Sequence, residues 1–243
     1  MIPKTIHYCW FGRGEKPKLV CKCIDSWKKY CPDYEIIEWN EDNFDTACNE
    51  YVKSAYEQKK YAFLTDYARL KIIYENGGIY FDTDVEVIRS FDDLLLDKAF
   101  IGFEDREHVN TGMGFGAEQK NIAVLKMLQE YDHVIMSGDF VGCPILNTSG
   151  LLKCGLILNG QTQRLDEISI YGKEYFNPYD DPTGRLNITQ KTYSIHWYAK
   201  SWMSKKTILR SKVSKPIHRL FSKKTIEKDY YASRETECSI FIR

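Results

Sequence analysis

The sequence lacks an excess of charge of either sign. Its 34 lysine and arginine residues are balanced by 34 aspartate and glutamate residues, so the formal net charge is zero. Proteins dedicated to nucleic-acid binding usually carry a strong basic excess. We therefore expect no nucleic-acid partner.

Long apolar runs are also missing. No stretch reaches the roughly 18 apolar residues that indicate a transmembrane helix, and the opening MIPKTIHYCWFG lacks the apolar region of a signal peptide. The eight cysteines form no C-x-x-C pair, and no histidine pair has zinc-finger spacing. We therefore expect a cytoplasmic protein that keeps its cysteines as thiols.

Strand-like and helix-like segments alternate along the first half of the chain. Such alternation predicts an α/β fold with a mainly parallel sheet covered by helices. The residue patterns predict strands at 2–10, 34–39, 79–88, 99–103 and 113–117, and helices at 18–30, 61–75 and 120–131. Asn76-Gly77-Gly78 marks the end of the second helix, because these residues accept the left-handed conformation of a helix C-cap.

The motif Asp82-Thr83-Asp84 follows the apolar residues Ile79-Tyr80-Phe81 directly. Read as one continuous strand, this segment would direct both carboxylates to the same face. Two close carboxylates repel each other, and a divalent cation such as Mn²⁺ or Mg²⁺ removes that cost. The alternative is a solvated pair of charges in a turn, because a D-x-D triplet often occurs by chance.

Asp66 and Arg69 lie three residues apart on the predicted helix before this motif, and therefore share one helix face. A carboxylate and a guanidinium beside a metal suit a sugar hydroxyl and a phosphate respectively. A surface ion pair is the alternative interpretation.

The run YAFLTDYARLKIIYENGGIYFDTDVEVIRSFDDLL closely resembles glycosyltransferase family 32, which is named for a sugar-binding region with a D-x-D motif. That family includes bacterial capsular-polysaccharide transferases and yeast mannosyltransferases, and the clostridial glucosylating toxins share a similar core. IPKTIHYCWFG resembles the family's opening strand, and NTGMGFGA, PILNTSGL and HWYAKSW are weaker matches.

The resemblance implies a glycosyltransferase A-type (GT-A) fold, a nucleotide-sugar donor and a retaining reaction. It implies that Asp84 binds the metal directly and that Asp82 reaches the metal or the ribose. Asp66 and Arg69 would contact the donor sugar and its phosphates. Trp10 would stack on the base, unless it is a core tryptophan.

Further donor-site residues are predicted in the second half of the chain. His196 is a candidate third metal ligand, Lys200 would neutralise the leaving diphosphate, and Trp202 would cover the donor. Asn110, at a predicted strand end, is a candidate for binding a sugar hydroxyl, as is the pair Asn147-Thr148. The alternatives are a core histidine and ordinary turn chemistry.

These predictions define an enzyme that moves a sugar from a UDP-sugar, or secondarily a GDP-sugar, to a saccharide or lipid-linked acceptor in polysaccharide biosynthesis. A metal-dependent hydrolase or phosphatase and a non-catalytic sugar-binding protein are the alternatives. A phosphatase with two metals would need a second ligand cluster, and none is visible near the first.

The last forty residues differ in charge from the rest. Residues 204–228 contain nine lysines and arginines, one acid and interleaved apolar side chains. We predict a catalytic domain over 1–203 and a basic tail over 204–243 that contacts an anionic membrane at its inner face. A solvated helix packed on the domain is the alternative.

Overall fold

The computed structural model describes residues 1–199 and Lys215. Its helices are α1 (Lys18–Tyr30), α2 (Glu50–Glu57), α3 (Tyr61–Asn76), α4 (Ile122–Gln129), α5 (Tyr131–Ser137), α6 (Cys143–Leu152) and α7 (Lys173–Phe176). Its strands are β1 (Thr5–Cys9), β2 (Glu35–Trp39), β3 (Gly78–Tyr80), β4 (Val85–Val87), β5 (Ala99–Phe103), β6 (Val109–Asn110), β7 (Phe115–Ala117), β8 (Gln163–Arg164), β9 (Ser169–Tyr171), β10 (Tyr179–Asp180), β11 (Arg185–Leu186) and β12 (Ser194–His196). Short 3-10 turns cover Asp92–Leu96 and Thr111–Met113.

Eight of these strands form one mixed sheet in the order β2-β1-β3-β7-β5-β9-β8, with β6 paired to β5. The pairs β1–β2, β1–β3 and β5–β9 are parallel. The pairs β3–β7, β5–β7, β5–β6 and β8–β9 are antiparallel. Followed through these pairings, β2, β1, β3, β5 and β9 all point the same way, which confirms the predicted mixed, mainly parallel sheet.

Helices cover both faces of this sheet. Residues of α2, α3, α4 and α6 pack with Tyr80 and Phe115 in one buried cluster. Trp27 of α1 packs with Ile79 and Phe81 in a second cluster on the opposite face. Because consecutive strand residues point to opposite faces, β3 contributes to both clusters in turn, and the predicted helix-covered α/β fold is confirmed.

Helix α3 and strand β3 are joined by two glycines in left-handed backbone conformations. Gly77 has a φ of 71° and Gly78 a φ of 98°. A side chain at Gly78 would place a Cβ 2.7 Å from the Thr5 carbonyl oxygen. The helix therefore ends where the sequence predicted, and the chain enters β3 immediately.

Two predictions of local structure are wrong. The predicted strand 79–88 is interrupted, because the chain turns at Thr83-Asp84 before β4, which pairs with β12 in a separate two-stranded sheet. Asn147 and Thr148, predicted at a strand end, lie within α6, where Pro144 stands in the first turn. Proline is favoured in the first turn because the N–H that it lacks would have no acceptor within the helix.

Among the described residues, no helix has both the length and the apolar character needed to cross a membrane.

Candidate active site

The two aspartates of the D-x-D motif lie at a tight turn between β3 and β4. The N–H of Val85 donates to the Asp82 carbonyl at 3.0 Å, and the N–H of Asp82 donates to the Gly112 carbonyl at 3.2 Å. Behind the turn, the indole of Trp27 donates to the Val85 carbonyl at 2.8 Å. The turn, rather than the alternation of a strand, brings Asp82 and Asp84 together.

The pairing of β4 with β12 delivers His196 to this turn. His196 lies opposite Val85 in the register, next to Asp84. Its Nε2 atom is 3.2 Å from Asp84 Oδ1. One ligand atom from each of Asp82, Asp84 and His196 lies within 4.8 Å of the other two. The structure thus brings together the three residues that the sequence analysis predicted as metal ligands.

Helix α3 contributes Asp66 and Arg69 from the adjoining side. Arg69 Nη2 is 2.8 Å from Asp66 Oδ1 and 3.0 Å from Asp82 Oδ1. The Arg69 side chain is 4% exposed, so the interpretation as a surface ion pair is wrong. Its Nη1 atom is buried without a hydrogen-bond partner among the described residues, which leaves that nitrogen for a ligand.

Gly112 allows these charged groups to approach the backbone. A Cβ at this position would lie 2.3 Å from Asp82 Oδ2 and 2.7 Å from Arg69 Nη1. Its N–H donates to Asn110 Oδ1 at 2.7 Å. Asn110 therefore lies at the site, buried at the end of β6, and its predicted contact with a sugar hydroxyl stays a prediction.

The three carboxyl groups of the site have different proton affinities. Burial raises the pKa of Asp82, and the neighbouring Asp84 raises it further against the opposing charge of Arg69. Burial raises the pKa of Asp66 to about 6, although Arg69 opposes this shift. Burial also disfavours the ionised form of Asp84, but His196 and the N–H of Ala199 outweigh it and lower its pKa.

The ligand chemistry of this cluster fits a divalent cation. Two carboxylates and an imidazole are ligands that Mn²⁺ accepts, and a cation would offset the repulsion between Asp82 and Asp84. The Nδ1 atom of His196 is buried without a hydrogen-bond partner among the described residues. The other ring nitrogen, Nε2, lies beside Asp84 Oδ1. A cation bound to Asp84 would therefore lie within reach of this nitrogen.

Trp10 lies just beyond the C-terminal end of β1. Its backbone N–H donates to the Trp39 carbonyl at 2.8 Å, and its indole Nε1 donates to the Gly14 carbonyl at 2.7 Å. The side chain is partly exposed and packs against the cluster that contains Trp27. The Lys16 Nζ atom lies over the Trp10 ring, 5.8 Å from its centroid, and base stacking stays a prediction.

Lys200 and Trp202 lie outside the described residues, as does the predicted boundary at 203. The same holds for the tail 204–243, apart from Lys215. The Lys215 Nζ atom donates to the Tyr179 hydroxyl at 2.7 Å and to Asp181 Oδ1 at 3.2 Å. This one basic residue of the tail is thus paired with the domain.

Sequence reasoning missed Glu104 and Tyr198, which lie close to the cluster. Glu104 is buried, with 2% of its surface exposed, and follows the fully buried strand β5. A carboxylate directly after an apolar strand was the available signal, and it is the same signal that drew attention to Asp82. Tyr198 lies within HWYAKSW, but only His196, Lys200 and Trp202 of that segment were assigned roles.

Three comparisons with known proteins show similarity to glycosyltransferases. Residues 17–101 match the model of the glycosyltransferase sugar-binding region containing the DXD motif. Inositol phosphoceramide mannosyltransferase 3 of Schizosaccharomyces pombe is 32% identical over 130 residues, which cover 47% of this chain and 33% of that protein. The chain therefore matches about a third of the length of that relative.

Among solved structures, the PaToxG glycosyltransferase superposes with a TM-score of 0.54 at 20% identity. The superposition covers 63% of this chain and 69% of that one. At this identity the likeness shows a shared fold, here the GT-A fold. The chain therefore has the GT-A fold, and its residues 17–101 match the DXD-containing sugar-binding region of glycosyltransferases.

Proposed function

We propose that this protein transfers a glycosyl group from a nucleoside diphosphate sugar to an acceptor hydroxyl. The observation that carries the proposal is the convergence of Asp82, Asp84 and His196 within 4.8 Å, beside the buried Arg69 of α3. Four charged or metal-binding groups from three segments of the chain, the D-x-D turn, β12 and α3, meet at one place. Bringing two carboxylates so close together is costly, and a bound cation would offset that cost.

Each of these residues has a role in the proposed reaction. Asp82, Asp84 and His196 would hold Mn²⁺ or Mg²⁺, which when bound neutralises the charge that develops on the leaving diphosphate. Arg69 holds Asp82 in place and directs Nη1 toward the donor phosphates. Asp66 accepts a hydrogen bond from a donor-sugar hydroxyl. Lys200 and Trp202 would bind the diphosphate and cover the donor.

The finer features of the reaction are also proposals. We propose a UDP-sugar as donor, with a GDP-sugar second, and transfer with retention, both on the resemblance stated above. The bond between the anomeric carbon and the diphosphate breaks, and the acceptor oxygen bonds to that carbon on the same face. The acceptor proton leaves with the diphosphate, which keeps the reaction balanced.

We propose a saccharide or a lipid-linked oligosaccharide as acceptor, in polysaccharide biosynthesis in the cytoplasm. The relative from fission yeast is named for a mannosyl transfer to inositol phosphoceramide, and its lipid acceptor supports a membrane-associated substrate here. The basic tail would then bring the enzyme to the inner membrane face.

The test of the proposed function is turnover of a panel of UDP- and GDP-sugars, with and without added Mn²⁺ or Mg²⁺. We expect hydrolysis or transfer that stops with chelator and returns with metal. Asp84→Asn should lower turnover by at least roughly 100-fold while the circular dichroism spectrum stays that of the wild type. Asp93→Asn is the matched control, because Asp93 is an exposed partner of Arg89.

Full activity of Asp84→Asn, or full activity in excess chelator, would contradict the proposed cation site. Release of phosphate from simple phosphate esters without sugar transfer would favour the hydrolase alternative instead. Binding of nucleotide sugars with no turnover of any donor would favour a non-catalytic sugar-binding protein.

A further inference from the structure

A buried hydrogen-bond network links the metal cluster to Asn110, the candidate for binding a sugar hydroxyl. Its centre is the carboxylate of Glu104, directly after β5. Glu104 Oε2 accepts from Asn110 Nδ2 at 3.1 Å, and Glu104 Oε1 accepts from the Tyr198 hydroxyl at 3.1 Å. The Tyr198 oxygen also accepts from Asn177 Nδ2 at 2.7 Å. One carboxylate therefore holds side chains from two separate segments.

The first of these segments carries the candidate sugar-binding group. Asn110 uses its Nδ2 atom on Glu104, and its Oδ1 atom accepts from the N–H of Gly112. The Gly112 carbonyl in turn accepts from the N–H of Asp82. Glu104 thus fixes the orientation of Asn110, and through Gly112 it supports the backbone of the D-x-D turn.

The second segment carries His196. The Tyr198 ring lies on the His196 imidazole, with ring centroids 4.1 Å apart. The N–H of Ala199, the next residue, donates to Asp84 Oδ2 at 2.7 Å, and the N–H of Trp197 donates to the Asp84 carbonyl at 3.0 Å. This short segment therefore contacts both His196 and Asp84.

The backbone of Tyr198 has a φ of 50°, a left-handed conformation that is unfavourable for a bulky aromatic residue. Such a conformation persists only where surrounding contacts enforce it. The Tyr198 hydroxyl, which donates to Glu104 and accepts from Asn177, contributes such contacts. Without them, relaxation of the backbone would carry the ring away from His196 and the Ala199 N–H away from Asp84.

We propose that Glu104 and Tyr198 are positioning residues that fix His196 and Asp84 in the geometry of the metal site and align Asn110 with it. This inference rests on the proposed cation site. It makes Glu104 a link between Asn110, the candidate for binding a sugar hydroxyl, and the segment that carries His196.

The experiment measures Mn²⁺ binding to the full-length protein by electron paramagnetic resonance of free Mn²⁺, without donor or acceptor. The variants are Tyr198→Phe, which removes only the hydroxyl, and Glu104→Gln, whose amide cannot accept from both Asn110 and Tyr198. Tyr171→Phe is the matched control, because its hydroxyl donates to Asp97 at 2.8 Å, outside this network. Asp84→Asn is the reference for a lost ligand.

We expect Tyr198→Phe and Glu104→Gln each to raise the Mn²⁺ dissociation constant by roughly 10- to 100-fold, which is typical of groups that orient metal ligands. The Mn²⁺ dissociation constant of the double variant should be close to that of the single variant with the lower affinity, because both changes break the same chain of contacts. Tyr171→Phe should bind Mn²⁺ as the wild type does. Circular dichroism and thermal unfolding of each variant exclude misfolding as the cause.

The outcomes separate the two proposals. Mn²⁺ binding that depends on Asp84 but is unaltered in Tyr198→Phe and Glu104→Gln would overturn the positioning role and leave the cation site intact. Losses that add fully in the double variant would overturn the shared network. A wild-type protein that binds no Mn²⁺ would overturn both the cation site and the role of its positioning residues.

Discussion

Arg69 and Asp82 form an ion pair whose guanidinium is buried, with Arg69 Nη2 3.0 Å from Asp82 Oδ1. The same nitrogen lies 2.8 Å from Asp66 Oδ1. One guanidinium thus compensates two carboxylates and ties helix α3 to the D-x-D turn. Because the Arg69 side chain is almost fully buried, solvent cannot replace it in this role.

Removal of this guanidinium should destabilise the fold strongly. We expect Arg69→Met to lower the free energy of unfolding by about 3 kcal/mol, because it removes the guanidinium that compensates two partly buried carboxylates. Lys71→Met is the control on the same helix, since Lys71 forms an exposed ion pair with Glu75 at 2.6 Å and should cost less than about 1 kcal/mol. Urea unfolding measures both, and equal losses would contradict the argument.

The close packing at Gly112 makes a second prediction. Gly112→Ala would force a Cβ to within 2.3 Å of Asp82 Oδ2, so the carboxylate must move. We expect the Mn²⁺ dissociation constant to rise by roughly 10-fold or more. Gly14→Ala is the control, because an added Cβ there meets no atom within 4 Å. Unchanged Mn²⁺ binding in Gly112→Ala would show that Asp82 is not a ligand.

The sequence predicted the elements of this fold better than the geometry of its site. Helix α1 and strand β5 have the predicted bounds, because α1 has apolar residues at helical spacing and β5 is a short apolar run. The meeting of Asp66, Arg69, Asp82, Asp84 and His196 was also predicted, because the resemblance identified their positions. The reason given for the D-x-D pair was wrong, since a turn rather than a strand brings the two aspartates together.

Contacts between distant segments could not be predicted from local patterns. The register of β12 on β4 places His196 beside Asp84, and pairing between strands so far apart in the chain leaves no local signal. The hydrogen bond from Tyr198 to Glu104 depends on the same long-range pairing. Tyrosine in the left-handed conformation is disfavoured by its own backbone, so only the assembled structure reveals it.

His7 makes the stability of the protein depend on pH. Trp39 Nε1 donates to His7 Nδ1 at 3.0 Å, and His7 Nε2 lies 3.1 Å from the Gly77 carbonyl, so the buried ring is neutral with its proton on Nε2. Burial lowers the pKa of His7 to about 4 from 6.5. The unfolded chain therefore binds the proton first as the pH falls.

We expect this histidine to remove about 3 kcal/mol of folding free energy between pH 6.5 and pH 4, with full stability above that range. Stability falls with falling pH because the unfolded chain takes up this proton near pH 6.5, whereas the folded protein takes it up only near pH 4. Protonation at Nδ1 also removes the acceptor of the hydrogen bond from Trp39. His7→Gln, which has no titration, should lack this part of the pH dependence. Urea unfolding at several pH values measures it, and identical pH profiles of both proteins would contradict the assignment.

Trp10 tests the proposed base-binding position. If a base stacks on the partly exposed indole, Trp10→Ala should weaken the binding of nucleoside diphosphates by roughly 1–3 kcal/mol. Trp10→Phe keeps an aromatic face and should lose less. Calorimetry with UDP and GDP measures both affinities and compares the two bases. Unchanged nucleotide affinity with reduced stability would show that Trp10 is a core tryptophan.

The basic tail over 204–243 is the basis of the last prediction. Residues 204–228 carry nine basic side chains and one acid, whereas the whole chain is neutral. Each lysine or arginine near an anionic surface contributes about 1 kcal/mol, and the interleaved apolar residues can enter the lipid boundary. We expect the full-length protein to sediment with anionic vesicles at low salt, and much less with neutral vesicles or at high salt.

The protein truncated to 1–203 should not sediment with either type of vesicle. Because Lys215 is paired with Asp181 and the Tyr179 hydroxyl, truncation also removes a contact of the domain. A full-length variant with Lys205, Lys206, Arg210 and Lys212 changed to Gln is therefore the better comparison, since it keeps that contact. Circular dichroism checks that both proteins are folded. Equal sedimentation of the wild type and this variant would show that the tail charge does not bring the protein to a membrane.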